Sequence, residues 1–362
     1  MRFLSAFSKD IDLVLMFPVI VVILLSLSTL FSVDFSVFKT QIVFLAFSVI
    51  AFIFFTQINT NILSRYTIPI YLLTIFLLTI ILLLGIESHG SIRWLEIFGF
   101  RFQFSEILKP FLAISLASFL SERKNYSFPV FALTIGLLLP IVILIFLQPD
   151  LGNALIYTGV VLLTLLVYGF PIRYFVASSI VWLITLPFFW LILHDYQRQR
   201  IMVFLNPSHD PLGKSYNAIQ AVIAVGSGML WGKGLGQGTQ SILKFLPEHH
   251  TDFIFATISE EFGFIGAIII VASFAFLCYR IYLIYQNGET RFSQAFTIIV
   301  FFIIFVHFVV NVGMNIGLVP VVGVTLPFVS SGGSSLLSNF ILIGLLFGIN
   351  KKSKRADALE IR

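Results

Sequence analysis

Charge is what this chain has least of. Only 11% of its 362 residues are Asp, Glu, Lys or Arg, against roughly 25% in a soluble globular domain. Hydrophobic residues make up 58% and mean hydropathy is +1.02. This shortage excludes a soluble domain and points to a polytopic membrane protein. Cysteine is scarcer still, because Cys278 is the only one, so no intramolecular disulfide can form and the residue reads as a small apolar side chain in a helix. No repeat of fixed period is present, nor any low-complexity tract beyond hydrophobicity itself. The 42 phenylalanines suit lipid-facing and packing surfaces.

Apolar runs long enough to cross a hydrocarbon core of about 30 Å fill nearly the whole length. Ten are expected, near 11–31, 38–57, 66–86, 105–121, 127–147, 152–170, 174–193, 253–285, 293–316 and 331–349. The expected fold is all-α, a single integral membrane domain over 1–362 with ten transmembrane helices. A long amphipathic extracytoplasmic loop, about 194–252, would join helices 7 and 8. The first run follows Arg2 and Lys9 but exceeds a signal-peptide core and lacks a small-residue cleavage site, so it reads as a retained helix. An even number of spans places both termini on one side. The basic run Lys351-Lys352-Ser353-Lys354-Arg355 makes that side cytoplasmic, together with Arg65, Arg123, Lys124, Arg173, Arg280 and Arg291. The net charge of +5 thus reports topology and makes no case for nucleic acid.

Polar residues concentrate in 87–109, 148–153, 194–263 and 311–339. Loops as long as the third of these are usually functional or disordered, and its apolar pieces, Ile219 to Val225, Met229-Leu230-Trp231 and Phe245-Leu246, argue against disorder. Six glycines from Gly226 to Gly238 permit close backbone approach. Gly213-Lys-Ser215 is no phosphate loop, since Ser208 stands where the first glycine is required and no strand precedes it.

The densest polar cluster runs from Leu246 to Gly263. Asp252 stands at the expected start of a helix, with Glu248 before it and Glu260 and Glu261 two turns on. At helical spacing Asp252, Ser259 and Glu260 would share a broad face. An acid here can deprotonate a hydroxyl, hold a divalent cation, or cap the helix. His249 and His250 are adjacent, a spacing that sends ligands apart. A magnesium or manganese ion bridging Asp252 to a substrate diphosphate suits oxygen ligands better. Glu106 and Lys109, three apart, fall on one helix face as an ion pair. Asp150 lies in the turn Gln148-Pro-Asp-Leu-Gly-Asn153. Arg198 and Arg200 carry planar forks suited to phosphate. Val329 to Ser335 is a small-residue entry to the last span, leaving room for close packing or for a ligand.

Together these pieces resemble the SEDS family (shape, elongation, division and sporulation), over essentially the whole chain. The resemblance rests on Arg93-Trp94 with Arg101-Phe-Gln-Phe-Ser-Glu-Ile-Leu-Lys109, Gln148-Pro-Asp-Leu-Gly152, Tyr196-Gln-Arg-Gln-Arg200 with Phe204-Leu-Asn-Pro207, and Gly232-Lys-Gly234. It extends through Gly238-Thr-Gln-Ser241, Leu246 to Gly263, and Pro320-Val-Val-Gly-Val-Thr-Leu-Pro327 with Ser334-Ser335. Phe104 and Ser331 depart from it, where proline and tyrosine are common.

Such a resemblance implies a peptidoglycan glycosyltransferase of the cytoplasmic (inner) membrane, polymerising lipid II at the outer face. It implies that Asp252 is the essential aspartate, that Glu106 and Lys109 form the transmembrane ion pair, and that Asp150, Gln197 and Arg200 face the central cavity. Arg101, Lys109 or Arg200 would meet the leaving diphosphate, with Glu248 and Ser334 nearby. A class B penicillin-binding protein is the implied partner, with other membrane proteins of the elongation complex. Gly238-Thr-Gln-Ser241 and the absence of long tails favour the elongation branch over the division branch. A lipid-linked-sugar flippase is the competing class, but no pseudo-symmetric halves are evident.

Overall fold

The computed structural model of the chain describes residues 12–58, 63, 65–88, 91–97, 99–207, 210, 213 and 215–360. Arg2, Lys9 and Ser208 lie outside them. All ten expected apolar runs are helical. They are α1 Leu13–Val33, α2 Phe35–Gln57, α3 Thr67–Leu84, the pair α4 Phe104–Ile107 and α5 Lys109–Ser121, α6 Phe128–Leu147, α7 Leu151–Val167, α8 Ile172–Ile192, α12 Ile254–Gln286, α13 Arg291–Asn315 and α14 Gly333–Glu360. The long loop contributes α9 Asp195–Leu205, α10 Tyr216–Ser227 and α11 Thr239–Ile242.

Asp34 separates α1 from α2 because its carboxylate accepts the backbone N–H groups of Ser36 and Val37, at 2.9 and 3.2 Å, which the first turn of α2 leaves free. The buried core joins α2 and α14 with α5, α7, α12 and α13. By contrast α8 has no buried residue at all, the signature of a helix that meets lipid on every side. At the opposite end from the long loop, Arg280 Nη2 reaches Asp12 Oδ2 at 2.7 Å and Arg291 donates to the carbonyl of Arg123.

Three features depart from the sequence reading. The segment before α4 is not helical or irregular but a three-stranded antiparallel sheet, β1 Ile86–Ser88, β2 Ser91–Ile97 and β3 Phe100–Gln103. Its register pairs Trp94 with Gln103 and Glu96 with Arg101. The α7 helix has 17 residues, short for a full crossing. Finally α12 is broken at Gly263, whose φ of +67° an L side chain rarely adopts. There the loop after α10 enters the break: Phe264 N–H donates to the carbonyl of Met229 at 2.8 Å and Ile265 N–H to that of Leu230 at 3.4 Å, while Lys233 N–H donates to the carbonyl of Glu260. A Cβ on Gly263 would come within 2.2 Å of Gly232 N, so only glycine fits.

Candidate active site

Asp252 does not cap α12. The N-cap is Phe253, which supplies no side-chain bond, and Asp252 sits one residue outside the helix, half-buried. Glu248 has a φ of +52°, an uncommon conformation for a residue with a side chain, and its carbonyl accepts from Thr251 N–H and Phe253 N–H. This tight turn aims the Asp252 carboxylate away from the helix face expected for it. Ser259 and Glu260 are not its neighbours: Ser259 Oγ donates to the carbonyl of Phe255 within the helix. Glu260 accepts from Lys233 Nζ at 2.8 Å, from Gln240 N–H and Ser241 N–H, and from Ser241 Oγ. It latches the loop to α12.

What Asp252 does meet is Gly323. A Cβ at that position, where φ is +72°, would fall 3.3 Å from Asp252 Oδ2 and 3.6 Å from Arg200 Nη1, so the carboxylate and the guanidinium converge over a bare stretch of backbone. Arg200 lies against the ring of Tyr196, 5.6 Å from its centroid, and the Tyr196 hydroxyl donates to the carbonyl of Pro149. Asp150 follows directly. Its carboxylate caps α7 through Asn153 N–H at 3.2 Å, accepts from Gln103 Nε2 at 2.8 Å and Asn153 Nδ2 at 2.9 Å, and faces Arg93 Nη1 at 3.6 Å. Ser334 Oγ accepts from Gln103 N–H at 2.8 Å and so ties the sheet to the start of α14.

Burial pushes the Asp252 carboxyl up to about 6, assisted by Glu248, while Arg93 and Arg200 pull the other way. A carboxylate tuned near neutrality suits a general base. Burial lowers the Arg200 guanidinium and Asp252 opposes this.

Of the other expected site residues, Glu106 and Lys109 form their ion pair at 2.7 Å, fully inside the protein. Lys109 Nζ also lies 2.6 Å from His307 Nε2, and His307 Nδ1 is 3.3 Å from the carbonyl of Thr325. Lys109 borders an apolar cavity of about 160 Å³ between α3, α5, α6, α7 and α13, lined by Tyr71, Leu112, Leu137, Tyr157 and Ile303 among others. Gln197 is buried, but its amide accepts from His194 N–H and donates to the Tyr196 hydroxyl, so it holds the start of α9. Glu248 is exposed, with its carboxylate on Thr251 Oγ1. Arg101 is not brought to the site: it is 62% exposed and faces Glu96 at 3.8 Å. Arg93, eight positions earlier, stands by Asp150 instead. Arg93 and Gly323 lie within the sequence motifs, which assign them no role, and His307 lies outside every one of those motifs. No group of three or more His, Cys, Asp or Glu among the described residues could hold a metal ion, and His249 Nδ1 is engaged with the carbonyl of Leu246.

The model of a cell cycle protein family named for FtsW, RodA and SpoVE matches residues 7–355. Peptidoglycan glycosyltransferase MrdB of Escherichia coli K12 is 35% identical over 323 residues, 89% of this chain and 87% of that protein. Stage V sporulation protein E of Bacillus subtilis 168 is 37% identical over 275 residues, 75% of this chain and 74% of that protein. Among solved structures, a chain of a peptidoglycan synthase complex, described for its structural coordination of polymerization and crosslinking, aligns with a TM-score of 0.82. It is 28% identical and covers 94% of this chain and 98% of its own. The rod shape determining protein RodA of Thermus thermophilus aligns with a TM-score of 0.71 at 26% identity, over 93% of this chain and 96% of its own. The motifs, the ten apolar helices and these matches agree, and the chain belongs to the FtsW, RodA and SpoVE family of cell cycle proteins, the SEDS family.

Proposed function

We propose that this chain is a peptidoglycan glycosyltransferase of the rod-shape, elongation type, with Asp252 as its general base and lipid II as its substrate. The observation that carries the reading is the convergence of the Asp252 carboxylate and the Arg200 guanidinium over Gly323. The acceptor 4-hydroxyl oxygen forms a bond to the anomeric carbon of the lipid-linked donor, and its proton passes to Asp252. The bond from that carbon to the diphosphate breaks, and the electron pair leaves with undecaprenyl diphosphate. Arg200 and Arg93 supply fixed positive charge where the leaving group gains negative charge. The apolar cavity beside Lys109 takes part of the prenyl chain.

A resident metal fits these residues less well. Asp252 has two arginines in its field, and the one nearby acid in the same turn is Glu248. A magnesium or manganese ion there would draw most of its oxygens from the diphosphate and water. The chemistry above uses only the side chains named.

Asp12, Arg123, Arg280 and Arg291 gather at one end of the bundle and Asp252 at the end that carries the long loop, which supports cytoplasmic termini and an extracytoplasmic site. The partner is a class B penicillin-binding protein, a transpeptidase; support comes from the alignment with a chain of a synthase complex. The test is polymerisation of purified lipid II by the chain with that partner, comparing the parent with Asp252→Asn. Glycan strands from the parent and none from the variant are expected. Strands of normal length and amount from Asp252→Asn would overturn the assignment.

A further inference from the structure

We propose that Asn311 and Asn315 are positioning residues for Asp252, acting through its backbone, as members of a cradle that holds four successive carbonyl groups of the catalytic turn. This rests on the role of Asp252 given above. The Asp252 carbonyl accepts from Asn311 Nδ2 at 3.0 Å and from Asn315 Nδ2 at 3.1 Å. The carbonyl of Thr251 accepts from Ser330 Oγ at 2.6 Å, and that of His250 from both Ser331 N–H at 2.9 Å and Ser331 Oγ at 2.7 Å. The carbonyl of His249 accepts from Thr257 Oγ1 at 2.9 Å. These residues precede α12, so their carbonyls have no place in its backbone ladder; α13, the segment before α14 and the Thr257 side chain of α12 itself supply the donors instead.

The two asparagines are four apart on α13 and share a face. Both are wholly buried, an environment that demands partners for every amide atom. Asn315 Oδ1 accepts Ala256 N–H at 3.1 Å, one of the free donors at the start of α12 that Phe253 cannot cap. Asn311 Nδ2 also donates to the carbonyl of Val324 at 2.6 Å, beside Gly323. One pair of side chains therefore joins the turn bearing Asp252, the first turn of α12 and the segment around Gly323 over which the carboxylate lies. The carboxylate is left free for substrate while the backbone beneath it is fixed. Such placement is worth much in a reaction that depends on attack geometry.

The decisive variant is Asn315→Asp, which keeps the shape and the acceptor toward Ala256 N–H but turns the donor facing the Asp252 carbonyl into an acceptor. Ser330→Ala is the milder companion, and Leu165→Ala, a buried change in α7 remote from the turn, is the control for stability. Each is purified with the partner and assayed for lipid II polymerisation and thermal unfolding beside the parent and Asp252→Asn. Asn315→Asp is expected to lower kcat about ten- to a hundredfold with KM changed less than about twofold. Ser330→Ala should lower kcat about threefold to tenfold, and Leu165→Ala should lower the melting temperature with kcat within about threefold of the parent. Parental kcat in both Asn315→Asp and Ser330→Ala, with Asp252→Asn inactive, would overturn the cradle alone. So would a kcat loss in all three variants that simply tracks melting temperature. A parent that makes no polymer, or an active Asp252→Asn, would overturn the assignment of Asp252 and the cradle with it.

Discussion

Gly323 holds open the space in which the Asp252 carboxylate lies: a methyl group there would stand 3.3 Å from Oδ2, on a backbone whose φ of +72° disfavours any side chain. Two penalties therefore coincide in Gly323→Ala. The left-handed conformation costs about 1–2 kcal/mol for an L residue, and the added carbon crowds the carboxylate and Arg200 together. The expected outcome is a modest fall in melting temperature with polymerisation reduced about tenfold or more, since a displacement near 1 Å suffices for that. Gel separation of glycan strands from a fixed amount of lipid II measures it.

The pH profile follows from the same carboxylate. As a base, Asp252 must be ionised, so kcat/KM, which follows the substrate-free chain, should fall as pH drops through about 6, the value to which burial raises it. Arg200 pulls that value down. Arg200→Gln removes the cation, and the acid limb of kcat/KM should move to higher pH; a limb displaced to lower pH would contradict the contact. Stability has the opposite sign. Between about pH 4 and 6 the folded chain binds the proton that the unfolded chain has released, so this group lowers stability as pH rises through that window. Asp252→Asn should therefore melt slightly higher than the parent at pH 7.

Lys109 lies buried between Glu106 and His307, at 2.7 and 2.6 Å. Lys109→Met leaves the Glu106 carboxylate buried without its cation, a loss of about 3–5 kcal/mol. Glu106→Gln with Lys109→Met removes both charges and should recover more than half of that stability. A double-mutant cycle on thermal unfolding in detergent reads the coupling. Activity should fall in Lys109→Ala as well, through displacement of Glu106.

Much of this was legible in the chain before the structure. The hydrocarbon core demands about twenty apolar residues per crossing, and that demand made the ten helices visible. Spacing three apart made the Glu106 and Lys109 pair visible for the same reason that local contacts always are. His307, 198 positions from Lys109, had no such signal. Arg93 and Arg101 could not be told apart by composition: only the register of a short hairpin, which sets Arg101 opposite Glu96 at its exposed end and brings Arg93 to Asp150, separates them. Capping stayed open for Asp252 beside proton transfer and cation binding, because aspartate before an apolar run often caps a helix. The positive φ of Glu248, which turns the chain a residue early, leaves no trace in sequence.

Glu260 offers a test of the long loop. Its buried carboxylate holds Lys233 Nζ and two backbone N–H groups of residues 240 and 241. Glu260→Ala takes the acceptor from both N–H groups and the ion-pair partner from Lys233, which keeps Thr239 Oγ1, at about 1–3 kcal/mol for a buried N–H left unpaired. Trypsin should then cut after Lys233 and Lys244 faster than in the parent, with the membrane helices still intact by circular dichroism. Equal cleavage rates would show that the loop is held by other contacts.

Where α12 breaks, the N–H groups of Phe264 and Ile265 end on carbonyls of Met229 and Leu230 rather than on the preceding helical turn. Two amides deep in a long helix thus owe their shelter to a distant stretch of chain. Their deuterium uptake gives a clock for the docking of the 229–234 loop, while the flanking amides of α12 keep the slow exchange of an ordinary helix. Any partner that lifts the loop from outside should be readable at those two positions, from beneath it.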